Sequence, residues 1–292
     1  MKNKTILALV MILFGTISIF IKSIQLSSSL IAVTRAILGG SILIIYVKLG
    51  KKDFSIDSIK KNIWLLLLAG AAMGFNWIFL FEAYKSTTVS MATLSYYFAP
   101  IMVVLASPFL LKEKMTAKKM FTVLMAMTGL LLIVNPSELS SAGYDHGKGI
   151  AFGLAAATLY ASVIIINKFF KSLSGLEATM IQLFTAALVL APYIILFEKP
   201  VLTVPDPISI GALLLVGIIY TGAAYTVYFT VVKSIESQSI AVLSYLDPIT
   251  AVLISVLFLG EKMSLFQIVG GVLILGATYI SEKKQAPLKK RL

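Results

Sequence analysis

Only a few side chains in this sequence combine chemical reactivity with an apolar setting. Asp247 lies in LSYLDPIT, directly before Pro248, with apolar sequence on both sides. Arg35 lies in SLIAVTRAILGG and Glu82 in NWIFLFEAYKS. A charge at the centre of a membrane helix costs roughly 2.5–3.5 kcal/mol on insertion scales, so each needs a partner, a watery cavity or a task. Asp247 has two readings. It is a cavity carboxylate that binds a substrate amine or carries an exchangeable proton, or it is a structural clasp that accepts hydrogen bonds from Tyr or Ser hydroxyls. Arg35 either snorkels to the headgroups or offers its guanidinium fork to an anion. Glu82 stands one turn from Lys85, the spacing of an i,i+3 ion pair. The alternative sets Glu82 against Arg35 as an outer gate.

Uncharged groups supply the rest of a site. Thr221, Tyr225 and Tyr228 recur at i, i+4 and i+7, one face of a helix. Asn76 and Trp77 lie mid-run, Tyr96 and Tyr97 precede Pro100, and Tyr245 precedes Asp247. Tyr160 sits within another run, and Gln182 and Thr185 mark one face of the next. Interfacial tyrosines belong at helix ends, and most of these lie deeper. Taken singly, each is as well a core residue. As a set, Asn76, Trp77, Tyr96, Tyr97, Tyr160, Gln182, Tyr225, Tyr228, Tyr245 and Asp247 describe an apolar-walled substrate-binding cavity with a few polar groups.

Other chemistries are excluded or weak. There is no cysteine, so thiol catalysis, disulfides and thiolate metal sites are absent. The single histidine, His146, lies in SSAGYDHGKG and reads as a plain loop residue. No metal, cofactor or nucleotide motif is evident. An enzyme acting on a lipid would need clustered acids, bases or ligands at one interface, and the carboxylates here are scattered.

The elements that carry these residues follow from composition. Of the 292 residues, 59% are hydrophobic and 13% charged, and the mean hydropathy is +0.95. A soluble domain is about a quarter charged, so lipid must be the solvent for most of this chain. Ten apolar runs are predicted, near 5–21, 29–49, 62–84, 88–111, 116–134, 149–167, 176–197, 208–232, 236–259 and 264–281. The first follows MKNK and is read as a retained helix rather than a signal peptide. Of the 25 Lys and Arg, nineteen fall at or beyond the run ends on the side of the termini and five on the other; Arg35 lies in a run's interior. The positive-inside rule therefore predicts cytoplasmic termini. The same asymmetry explains the net charge of +12 by topology and headgroup contact rather than by nucleic-acid binding.

The sequence repeats itself. Residues 85–116 and 233–264 align without gaps at an offset of 148, and twelve of the 32 positions are identical, including Tyr97/Tyr245, Pro100/Pro248 and the Glu-Lys-Met at 113 and 261. Two halves, 1–140 and 141–292, are expected, each with five helices and one proline-kinked span. Pro100 and Pro248 lack an N–H and free the carbonyls of Tyr96 and Ser244. Five is odd, so the second half would enter the membrane upside down, the plan of many secondary transporters. The Glu113-Lys114 and Glu261-Lys262 pairs read as turn and capping groups, and Glu236 as an acid at a helix start. Gly70/Gly74 and Gly149/Gly153 read as helix-packing pairs within the bundle.

Arg35, AYKSTTVS, APIMVVLASPFLLKEKMT and its echo DPITAVLISVLFLGEKMS resemble the EamA family of the drug/metabolite transporter superfamily across essentially the whole chain. That resemblance implies an all-α membrane protein of ten transmembrane helices in two inverted five-helix repeats, in the cell's inner membrane. It also implies a central cavity walled mainly by helices other than the fifth and tenth, and export or exchange of small metabolites such as amino acids. The expected partners are a small-molecule substrate, the bilayer and protons, in a monomer or homodimer. A lipid flippase of the same architecture is the alternative.

Overall fold

The structure is a computed structural model that describes residues 2–50, 56–112, 115–133, 144–198, 205–231, 235, 243–244 and 246–282, the side chains of 133, 278, 281 and 282 excepted. Among the described residues every regular element is helical. The order is α1 (Lys2–Gly15), α2 (Ile17–Ser23), α3 (Ser28–Leu49), α4 (Ile56–Lys61), α5 (Ile63–Ser86), α6 (Val89–Tyr96), α7 (Ala99–Leu110), α8 (Ala117–Ile133), α9 (His146–Asn167) and α10 (Gly175–Tyr193). A π-helical turn at Ile194–Glu198 follows. Then come α11 (Pro207–Leu214), a π-helical segment at Leu215–Ala223, α12 (Ala224–Val231), α13 (Leu246–Leu257) and α14 (Leu265–Glu282).

Seven of the predicted runs become helical stretches long and apolar enough to cross a membrane. Helices α8, α13 and α14 fall within the other three runs. The ends are fixed by local chemistry. Ser27, Thr88, Asp145 and Asp206 each cap the helix that follows, with a side-chain oxygen accepting a first-turn N–H. Ser174 and Glu177 form a reciprocal capping box at α10. Two bonds from Ser209, one from its hydroxyl and one from its N–H, hold the exposed Asp206 carboxyl below its ordinary 3.8.

Three local features depart from expectation. The 88–111 run is two helices rather than one kinked helix. It breaks at Tyr97–Phe98, and Pro100 stands in the first turn of α7, where a missing N–H leaves no bond unmade. The first run also breaks, at Thr16, whose hydroxyl bonds Leu13 O at 2.7 Å and pairs with the Tyr220 hydroxyl. Third, His146 is not a loop residue. It opens α9, is 3% exposed, and its Nδ1 meets the Thr87 hydroxyl at 2.5 Å.

Helix α5 packs on α3, α9 and α10, and α3 lies along the π segment and α10. Helix α6 packs on α9 and α13, α1 on α12 and α13, and α8 on α14. The main core joins Ile31, Ala36, Trp77, Phe81, Leu183 and Val216. Large apolar residues such as Trp64, Phe109, Leu131 and Val272 cover the outside. Lipid is as apolar as leucine, so close backbone contact and hydrogen bonds must hold such helices together. The sequence-predicted glycine pairs serve this end: Gly70 and Gly74 face Thr185 and Ala186 of α10, and Gly149 and Gly153 face Thr87 and Ser95.

Candidate functional site

Arg35 is the buried cation of the site, only 5% exposed. It does not snorkel. Its Nε donates to Thr221 Oγ1 at 2.7 Å, and its guanidinium lies 4.2 Å from the centre of the Trp77 ring and 6.0 Å from that of Phe81. Stacking on an aromatic face suits a planar, weakly hydrated cation. The hydroxyls of Tyr225, Tyr96 and Tyr84 complete its electrostatic surroundings.

The second half supplies the bed. Thr221 donates to Val216 O, five residues back, at 3.0 Å, which leaves its oxygen free to accept from Arg35. That i−5 bond belongs to the π-helical segment, a distortion found mostly at functional sites. Gly39 makes the approach possible. It sits one turn beyond Arg35 on α3, and a Cβ there would overlap the Thr221 side chain.

The carboxylate stands beside the other repeated proline, Pro248. Asp247 is in the first turn of α13, half-buried, and Tyr97 Oη donates to its Oδ2 at 2.8 Å. This bond joins the break before Pro100 to the turn that holds Pro248. Gly15 lies against the Asp247 carbonyl and Thr250, so α1 supports the same turn. Tyr84 is buried nearby, 5% exposed, close enough to Asp247 and Arg35 to share their electrostatic surroundings. Tyr96 packs between Tyr97, which it meets edge-on with ring centroids 5.9 Å apart, and the tilted ring of Tyr160 at 5.4 Å. Tyr160 is 41% exposed and forms the open edge of this aromatic wall.

The remaining expected residues divide. Asn76 donates to Ala156 O at 2.6 Å, tying α5 to α9 beside Tyr96. Tyr225 turns toward Arg35 and meets Phe14 edge-on at 5.6 Å. Tyr228 leaves the stripe: it packs on Phe229 and on the cluster of Leu7, Met11 and Val231. Gln182 is also elsewhere. It is 1% exposed and donates to Asn167 Oδ1 at 2.7 Å, which makes it a tie between α9 and α10. Glu82 pairs with Lys85 at 3.8 Å and accepts from Ser28 Oγ at 2.5 Å. Arg35 and Glu82 are therefore not paired in this structure, where each has other partners. Tyr245, Glu113, Lys114 and Glu236 lie outside the described residues.

Tyr84, Phe81 and Phe14 belong to the site and were not singled out from sequence. Tyr84 lies in the last turn of α5, and only the packing of other helices buries it. Among the described residues no three His, Asp or Glu side chains gather as metal ligands. Chemically, Arg35 offers N–H donors suited to an anionic group and Asp247 a carboxylate suited to a cationic one.

Similar proteins agree on the scaffold. The model of the EamA-like transporter family matches residues 4–135 and again 147–282. The uncharacterized transporter YxxF of Bacillus subtilis (strain 168) is 26% identical over 265 residues, which covers 90% of this chain and 84% of that one. Protein PecM of Dickeya dadantii (strain 3937) is 27% identical over 277 residues, 89% of this chain and 88% of its own. A crystal structure of another protein matches with a TM-score of 0.65 over 96% of this chain and 97% of that one. At 22% identity that likeness shows a shared fold.

Proposed function

Because the chain belongs to the EamA-like transporter family, within the drug/metabolite transporter superfamily, we propose that it carries a small zwitterionic metabolite, an amino acid or close relative, across the inner membrane by alternating access. The observation that carries this reading is Arg35. Among the described residues the ion pairs are Lys22–Glu261 and Lys85–Glu82, and Arg35 is in neither. A buried guanidinium without a carboxylate is costly, and an anionic substrate group is the natural counter-charge. Asp247 takes the substrate amine and exchanges a proton during the cycle. Ten helices form two inverted halves with cytoplasmic termini, in keeping with the repeat and the Lys/Arg asymmetry.

A thermal-shift screen of the purified chain against amino acids, amines, nucleobases and sugars tests this. Stabilisation by one or more amino acids is expected, and it should vanish for their methyl esters and weaken for their N-acetyl forms. If no zwitterion raises the unfolding temperature, the substrate class is wrong. Stabilisation by lipids alone would favour the flippase reading instead. In liposomes, Asp247→Asn should lose the dependence of uptake on a pH gradient; unchanged dependence removes the proton role.

A further inference from the structure

The Glu-Lys-Met motif at 261 does more than close a turn. Glu261 stands between α13 and α14, is 8% exposed, and gathers three elements. Its Oε1 accepts from Lys22 Nζ at 2.9 Å, at the end of α2, and from Val89 N at 2.9 Å. Its Oε2 accepts from Ser90 N at 3.3 Å. The α6 N-terminus is thus capped twice: by Thr88 from its own chain segment and by a carboxylate 171 positions away. Beside it the buried hydroxyls of Ser90 and Ser255 meet at 2.5 Å, which pins α6 to the end of α13. The same end carries the Thr87–His146 contact and the bond from Gln25 N to Ser209 Oγ at 2.8 Å.

We propose that Glu261 is a gating residue: with Lys22 and the N-terminus of α6 it latches the outer end of the pathway shut. The assignment to the outer side rests on the topology proposed above; the closure itself rests on the contacts. Helix α6 runs from this latch through Thr93 to Tyr97 and the break, so one rigid element connects Glu261 to the Asp247 partner. Opening the end requires Val89 N and Ser90 N to lose a charged acceptor, and α6 must part from the end of α13, where Ser90 meets Ser255. A charged cap also gives the closed state a defined geometry, because a carboxylate accepts from two adjacent N–H groups and a lysine at once.

The absence of cysteine makes a clean test. Thr93→Cys places the only thiol one turn inside Ser90, at a buried position. Its modification by a membrane-impermeant maleimide is followed from each face, in right-side-out and inverted vesicles, without any substrate. Adding Glu261→Gln should raise labelling from the outer face roughly tenfold, the shift expected from loss of a charge-assisted hydrogen bond. Lys22→Gln should raise it less, since the two N–H contacts remain. The double exchange Lys22→Glu with Glu261→Lys should stay fast, because lysine cannot accept from an N–H. Labelling that the double exchange returns to the starting rate would mean a simple ion pair and overturn the capping latch. No rise from either face in Glu261→Gln or Lys22→Gln, in protein that remains monodisperse, overturns the gate alone. A rise from the cytoplasmic face only overturns the outer assignment together with the topology beneath it.

Discussion

The turn before Pro100 and the turn before Pro248 occupy equivalent places in the repeated sequence, yet only one carries a charge. Ala99 stands where the second half has Asp247. The same offset sets Leu183 opposite Arg35, Ala187 opposite Gly39, and Tyr225 opposite Trp77. The local helix differs too. The stretch equivalent to the π segment lies within the regular α5. Each half therefore gives one charge and borrows the partner's support: Arg35 rests on Thr221, and Asp247 on Tyr97. The scaffold is repeated, and the chemistry is not. For the proposed zwitterionic substrate, this asymmetry would supply an opposite charge for each end, which two identical halves could not do.

The largest test of this contrast is to erase it. Arg35→Leu gives the first half the residue of the second. Substrate binding should fall by about 2–5 kcal/mol, the usual cost of removing one partner of a buried charged contact, while the unfolding temperature stays level or rises. Titration and thermal unfolding on one sample check both. A parallel fall in stability and binding would mean that Arg35 is a structural tie.

Asp247→Ala does the same for the other charge. It also removes the acceptor of Tyr97, so about 1.5–3 kcal/mol of stability should go with it. Asp247→Asn keeps an acceptor oxygen and should retain most of that stability while losing affinity for amine-bearing substrates. If both variants bind as well as the unaltered chain, Asp247 is a clasp and the asymmetry is incidental. Gly39→Ala comes next. It restores symmetry with Ala187 and crowds Thr221, at a cost of about 1–3 kcal/mol. Thr221→Ser combined with it should recover part of the loss by removing the methyl that the new Cβ meets. The smallest effect belongs to Glu82→Gln. Its pair with Lys85 is partly exposed, so stability should move by no more than about 1 kcal/mol. Outer-face labelling of Thr93→Cys should not change, in contrast to Glu261→Gln.

Much of this was readable from local pattern. The helical runs follow from apolar length, and their ends agree within a few residues because caps such as Ser27, Thr88 and Ser174 sit at the polar breaks. Asp247 stood out because a carboxylate before a proline is rare in apolar surroundings. His146 was expected in a loop, but it opens a helix and is buried against Thr87. Its partner, like those of Gln182 and Tyr228, comes from another part of the chain. A hydropathy pattern has no access to such contacts.

Sequence alone determined that lipid surrounds this chain, that it is helical, that it is doubled, and that Arg35 and Asp247 are its costly charges. Those properties are sums over neighbouring residues or direct comparisons of one stretch with another. Tertiary structure decided what the charges do. Arg35 meets a hydroxyl 186 positions away and Tyr97 a carboxylate 150 positions away. Glu261 caps a helix from the far half of the chain. Hydrogen bonds act over about 3 Å, so the distance between groups selects them, and only the packed bundle brings these groups within that range.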